Sequence, residues 1–67
     1  MAVSLIADAR AQRAILDEFF PRWRDTVYTG KDWVERWQAA TGVSRSRAYE
    51  WHAIARVVLR TELQQAA

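Results

Sequence analysis

Arg45, Ser46, Arg47, Tyr49 and Glu50 stand close together, directly after Gly42, Val43 and Ser44. A guanidinium group is planar and presents five N–H donors in a fixed fork, a match for phosphates, carboxylates and other paired acceptors. The Ser and Tyr hydroxyls donate and accept, and the Glu carboxylate only accepts. Such a set recognises polar edges and anions but lacks the parts that make or break bonds. No glycine-rich phosphate loop, nucleophile motif or ligand cluster occurs elsewhere. There is no cysteine, and His52 is the one histidine, with Arg56 four positions on where a second metal ligand would stand. Beside Trp51, His52 reads as a partly exposed helix residue close to a phosphate contact. Asp17–Glu18 and Asp32/Glu35 read as helix-surface acids. A chain of 67 residues also has little room for a pocket of several hundred Å³. The expectation is a binding protein and not an enzyme, with no cofactor, no metal and no small-molecule substrate.

The elements that position this cluster are helices. No segment shows the two-residue alternation of a strand, and the two glycines and one proline stand where helices start or stop. A first helix is expected from a Ser4 cap to about Phe20, rich in Ala, Leu, Arg and Gln, with Leu5, Ala9, Leu16, Phe19 and Phe20 leaning to one side. Pro21 ends it and can open a short helix over 22–28. Thr29 and Asp32 have the spacing of a capping box before a helix from about Gly30 to Ala40, on which Trp33, Val34 and Trp37 fall together and Asp32 precedes Arg36 by four. Gly42 suits a left-handed stop. Ser44 caps a last helix that runs unbroken to about Gln64, with Trp51, Ile54, Ala55, Val58 and Leu59 as its apolar stripe and a frayed tail over 64–67. The fold class is therefore all-α: one domain over 1–67, a small bundle of three to four helices with a long C-terminal helix.

A core this small supplies about 3–5 kcal/mol of net stability. Without disulfides, the help comes from aromatic burial, for which Trp23, Trp33, Trp37, Trp51, Phe19, Phe20, Tyr28 and Tyr49 are available. Trp33, Trp37 and Trp51 have the spacing of buried faces. Trp23, between Arg22 and Arg24, is less constrained, with the core as its expected place. Asp8 and Arg10 interrupt the apolar start, so a cytoplasmic chain is expected; no run approaches the roughly 20 apolar residues of a membrane span. The net charge is +2 and the isoelectric point near 9.7. Arg10 and Arg13 against Asp8, Asp17 and Glu18 leave residues 1–20 at −1, whereas Arg45, Arg47, Arg56 and Arg60 against Glu50 and Glu62 leave residues 42–67 at +2. The positive end is thus the end that carries the cluster.

The run from Trp37 to Trp51, WQAATGVSRSRAYEW, resembles the helix-turn-helix of small bacterial, phage and plasmid regulators and of resolvase DNA-binding domains. Trp37 matches the apolar residue of the first helix, Gly42 the turn glycine, Val43 the apolar residue after it, Ser44 the cap, and Ala48 and Trp51 the buried positions of the second helix. Gln38 departs from the pattern, which has a small residue there. The resemblance implies double-stranded DNA as partner, read in the major groove by the helix that begins at Ser44. It implies base contacts from Arg45, Ser46, Tyr49 and Glu50, and phosphate contacts from Lys31, Ser44, Arg47 and Arg56. A transcriptional regulator or accessory DNA-binding factor is the expected role. The competing expectation is a helical protein-binding module, such as a phage-encoded inhibitor of a larger enzyme. Spare apolar residues (Leu5, Ile6, Ile15, Val57, Leu63) also suggest a homodimer.

Overall fold

The computed structural model describes residues 4–66, with side chains from 9 to 65. Four helices follow in order: α1 (Ser4–Phe19), α2 (Trp23–Thr26), α3 (Gly30–Thr41) and α4 (Arg45–Ala66). Among the described residues there is no strand. The all-α class and the long C-terminal helix hold as expected. Leu5 and Ile6, expected among the core-facing and spare apolar residues, lie outside the described side chains.

α1 ends where its sequence says it must. Pro21 disfavours the helical conformation at Phe20, and the Phe20 amide closes the last turn on Leu16 O at 2.8 Å. Pro21 then sits in a turn and not in a helix, with the Trp23 amide reaching back to Phe20 O. The short helix is real but limited to Trp23–Thr26, less than the 22–28 expected. The capping box of Thr29 and Asp32 does not form. The Thr29 hydroxyl donates backwards to Thr26 O at 2.6 Å, the carbonyl that also accepts the Thr29 amide at the tight exit from α2; the Asp32 amide goes to Thr29 O, and the Asp32 carboxylate accepts from Arg36 Nε at 2.9 Å.

The turn before α4 forms as its residues predict. Gly42 is the only described residue with positive φ, at φ 76° and ψ 9°, and its amide donates to Gln38 O. Ser44 Oγ accepts from the Arg47 amide at 3.2 Å, which satisfies an otherwise orphan donor of the first turn. Gln38, where the pattern has a small residue, is half-buried, and its Nε2 donates to Val43 O, so it braces the turn. A Cβ added at Gly42 would meet nothing within 4 Å. The cost of Gly42→Ala is then conformational alone, about 1–2 kcal/mol, or a melting temperature lower by roughly 4–15 °C. Gly42→Asn should lose less, since Asn tolerates the left-handed region. Equal melting temperatures for wild type and Gly42→Ala would contradict the turn.

α4 has 22 residues and spans about 33 Å. It continues to Ala66, past the expected end at Gln64, so a frayed tail is not seen over 64–66; Ala67 lies outside the described residues. The core collects Leu16 of α1, Trp23 and Val27 from the α2 region, Trp33, Val34 and Trp37 of α3, and Ala48, Ala55 and Val58 of α4. Phe20, Val43, Trp51, Ile54 and Leu59 pack around it, half-buried. Trp33 and Trp37, one helical turn apart, stack with centroids 5.3 Å apart and planes 14° off parallel. Phe20 leans on Trp33, Phe19 meets Trp37 edge-on, and Trp51 tilts against Trp37 at 5.2 Å. Trp51 therefore lines the rim of the core and does not fill its centre.

Candidate nucleic-acid interface

What holds α4 decides which of its faces is left for a partner. Its inner face is fixed at two heights. Near the start, Ala48 lets α3 approach closely, and His52 leans on Trp33 at 5.4 Å, tilted by 56°, while its Nε2 hydrogen-bonds Val27 O. His52 is the partly exposed helix residue expected, and it is also tied to its own fold. Near the end, Glu62 accepts a two-pronged bond from Arg24, Nε at 3.0 Å and Nη2 at 2.8 Å, with Arg13 at 3.6 Å. Arg24 Nη1 also reaches Asp17 Oδ1 at 3.0 Å, and that same oxygen accepts from Trp23 Nε1 at 2.8 Å. Asp17 is therefore no ordinary surface acid, and Trp23, the least constrained of the tryptophans by sequence, is fully enclosed. One arginine from the smallest helix ties α1 and α4 together.

This clamp sets the acid behaviour of the fold. The bonds from Arg24 lower the Glu62 carboxyl and outweigh the upward push of burial. Burial pushes Asp17 up as well, but the bonds from Trp23 and Arg24 and the nearby positive charges leave it below the usual carboxylate range. Arg24 is in turn held more firmly in its charged form. Both carboxylates are depressed in the folded state. Their contribution is complete above their unfolded values, near 4.5 and 3.8, and is lost as pH falls through the lower folded ones. Glu62→Gln should lower the melting temperature at neutral pH by roughly 4–8 °C, for about 1 kcal/mol after solvent screening. The gap to wild type should narrow as pH falls below the unfolded Glu62 value near 4.5 and close once pH has passed below the lower folded one. A gap that persists there would show that packing, and not charge, holds the clamp.

With its inner face pinned, α4 turns Arg45, Ser46, Tyr49 and Arg56 to solvent. Tyr49 keeps 46% of its surface exposed, and the Arg45 guanidinium lies 5.6 Å from its ring centre, so Arg45 extends along the helix face. Among the described residues Arg45 and Arg56 have no carboxylate within 4 Å. Arg47 and Glu50 differ: they pair with each other at 2.6 Å towards the flank, with Arg47 over the Trp51 ring at 6.0 Å. Contacts from either to an outside partner require that pair to open or tilt. Ser44 spends its oxygen lone pair on the cap but keeps its hydroxyl proton. Lys31 is exposed in the first turn of α3, roughly 16 Å of helix away from Gly42, and no contact brings it to the start of α4. Arg60, not singled out by sequence, shares the exposed face, and so does Ala53. The spacing of four, seven and four from Arg45 through Tyr49 and Arg56 to Arg60 is a stripe that helical periodicity alone would reveal.

The described residues hold no group of three or more His, Asp or Glu placed to bind a metal, and no described helix is long and apolar enough to cross a membrane. Compared with protein-family models, with curated proteins and with solved structures, the chain matches none.

Proposed function

We propose that the protein binds double-stranded DNA in a sequence-dependent way through the first turns of α4, as a transcriptional regulator or accessory DNA-binding factor. The observation that carries this reading is the presentation of Arg45, Ser46 and Tyr49. They follow a left-handed glycine turn and a serine cap, face solvent on a helix whose opposite side is locked into the core, and include a guanidinium with no carboxylate within 4 Å among the described residues. The two carboxylates of α4 are both engaged elsewhere, Glu50 by Arg47 and Glu62 by Arg24 and Arg13. In this reading Arg45 supplies a fork for guanine O6 and N7, Ser46 and Tyr49 reach base edges or phosphate, and Arg56 neutralises phosphate.

Phosphate contacts release counterions, so affinity for duplex DNA should drop steeply with salt. Four phosphate contacts would cost roughly 150-fold in affinity between 50 and 200 mM salt. Titration of a labelled duplex pool by fluorescence anisotropy at several salt concentrations checks this. No binding at the lowest salt would turn the reading towards an acidic protein surface as partner.

A further inference from the structure

The outer face of α4 is longer than a reading head needs. Arg45, Tyr49, Arg56 and Arg60 repeat at i, i+4, i+11 and i+15, which keeps them on one stripe of the helix. All four are exposed, as are Ser46, Ala53 and Val57 beside or between them. Of the cations among the described residues, five have no carboxylate within 4 Å: Arg10, Lys31, Arg45, Arg56 and Arg60. Three of these five are on this stripe. No acid shares it, because Glu62 faces inward to Arg24 and Glu50 is held at the flank by Arg47. From Arg45 to Arg60 the stripe measures about 22 Å, or between six and seven base pairs at about 3.4 Å each.

Resting on the reading above, we infer that α4 lies along the major groove instead of entering it end-on, so that Arg56 and Arg60 hold phosphates beyond the reading head and Ala53 faces base edges. An exposed helical face that is positive over its whole length requires a partner negative over the same length. A second copy of this chain does not meet that need, since Arg56 and Arg60 would face their own counterparts with no carboxylate between them. A groove walled by phosphates does. Ala53 stands midway, between the rings and guanidinium groups of Tyr49 and Arg56. Its single methyl lets the helix backbone come close to the base pairs, and the one base feature it can favour is the thymine methyl group.

The test compares the salt dependence of binding to a random-sequence duplex of about 30 base pairs for wild type, Arg45→Ala, Arg56→Ala with Arg60→Ala, and Ala53→Glu. Arg10→Ala, on α1 beside Thr61 and Gln65, serves as a control that removes one positive charge away from the stripe, as Arg45→Ala removes one on it. If both arginines touch phosphate, the affinity that the double variant loses between 50 and 200 mM salt should be smaller than the wild-type loss by about 12-fold, the effect of two fewer contacts. Arg10→Ala should match wild type. Ala53→Glu should weaken binding at least tenfold while its melting curve stays that of wild type, the position being exposed. If Arg45→Ala weakens binding but the double variant keeps the wild-type salt dependence and Ala53→Glu binds normally, α4 meets DNA only at its start: the lengthwise placement is overturned and the reading head stands. If wild type binds no duplex at low salt, both fall.

Discussion

Trp33→Ala is expected to leave a chain that no longer melts cooperatively at room temperature. Trp33 has no exposed surface and is held on several sides: Trp37 stacks on it, Phe20 and His52 lean against it at 5.8 and 5.4 Å, and its Nε1 donates to Trp23 O at 3.3 Å. Truncation of a buried tryptophan costs about 3–5 kcal/mol. A single core of this size has about 3–5 kcal/mol in total, so the two quantities nearly cancel. Trp33→Phe keeps most of the ring contact but loses the Nε1 bond to the Trp23 carbonyl, so a folded protein with a lower midpoint should result. Urea titration followed by tryptophan emission distinguishes these cases. A cooperative transition for Trp33→Ala with a urea midpoint close to that of wild type would show that the core is organised around another residue.

The largest effect on binding is expected at Arg45. Its substitution by alanine removes a solvent-facing group that has no carboxylate within 4 Å, so stability should be almost unchanged while affinity for a preferred duplex drops by about 1–3 kcal/mol, or roughly 5- to 150-fold. The loss should be selective: sites selected by wild type lose more than random sequence, because a base-reading contact carries preference whereas a phosphate contact does not. Selection of bound sites from random DNA, repeated with Arg45→Ala, measures both. An unchanged set of selected sites would remove Arg45 from base recognition. Arg45→Lys is an informative companion, since a lysine keeps the charge but loses the planar fork.

The parts of the molecule that were legible in the sequence are those set within one helix or one turn. Helical periodicity placed Trp33, Val34 and Trp37 on one buried face and Ala55 and Val58 on another, and the helix-turn-helix resemblance placed Ala48 among the buried positions. Local backbone chemistry placed the stops at Phe20 and Gly42 and the cap at Ser44. What escaped is the matching of faces across the chain. Arg24 meets Glu62 across 38 positions and His52 meets Val27 across 25, and no spacing rule reaches so far, because such pairs depend on where the very short α2 comes to rest. Thr29 escaped for the opposite reason: a local alternative won, its hydroxyl donating back to Thr26 O while the Asp32 amide that it was expected to accept from donates to Thr29 O. In the candidate interface, the exposure of Arg45, Ser46 and Tyr49 followed from the cap and the apolar stripe. The pairing of Arg47 with Glu50 was visible at i,i+3, and its effect is to leave Arg45 as the guanidinium without a partner in that first turn.

The parallel indoles of Trp33 and Trp37 have an optical consequence. Two such chromophores held 5.3 Å apart share their excited states, which adds a paired positive and negative band to the far-ultraviolet circular dichroism, overlapping the helical signal. Helicity read at one wavelength would then be biased, and the couplet itself would report tertiary packing. In mild acid or denaturant it should fade before the helical bands do if the chain passes through a compact state with loosened side chains, so the spectrum of one unlabelled sample separates loss of packing from loss of helix.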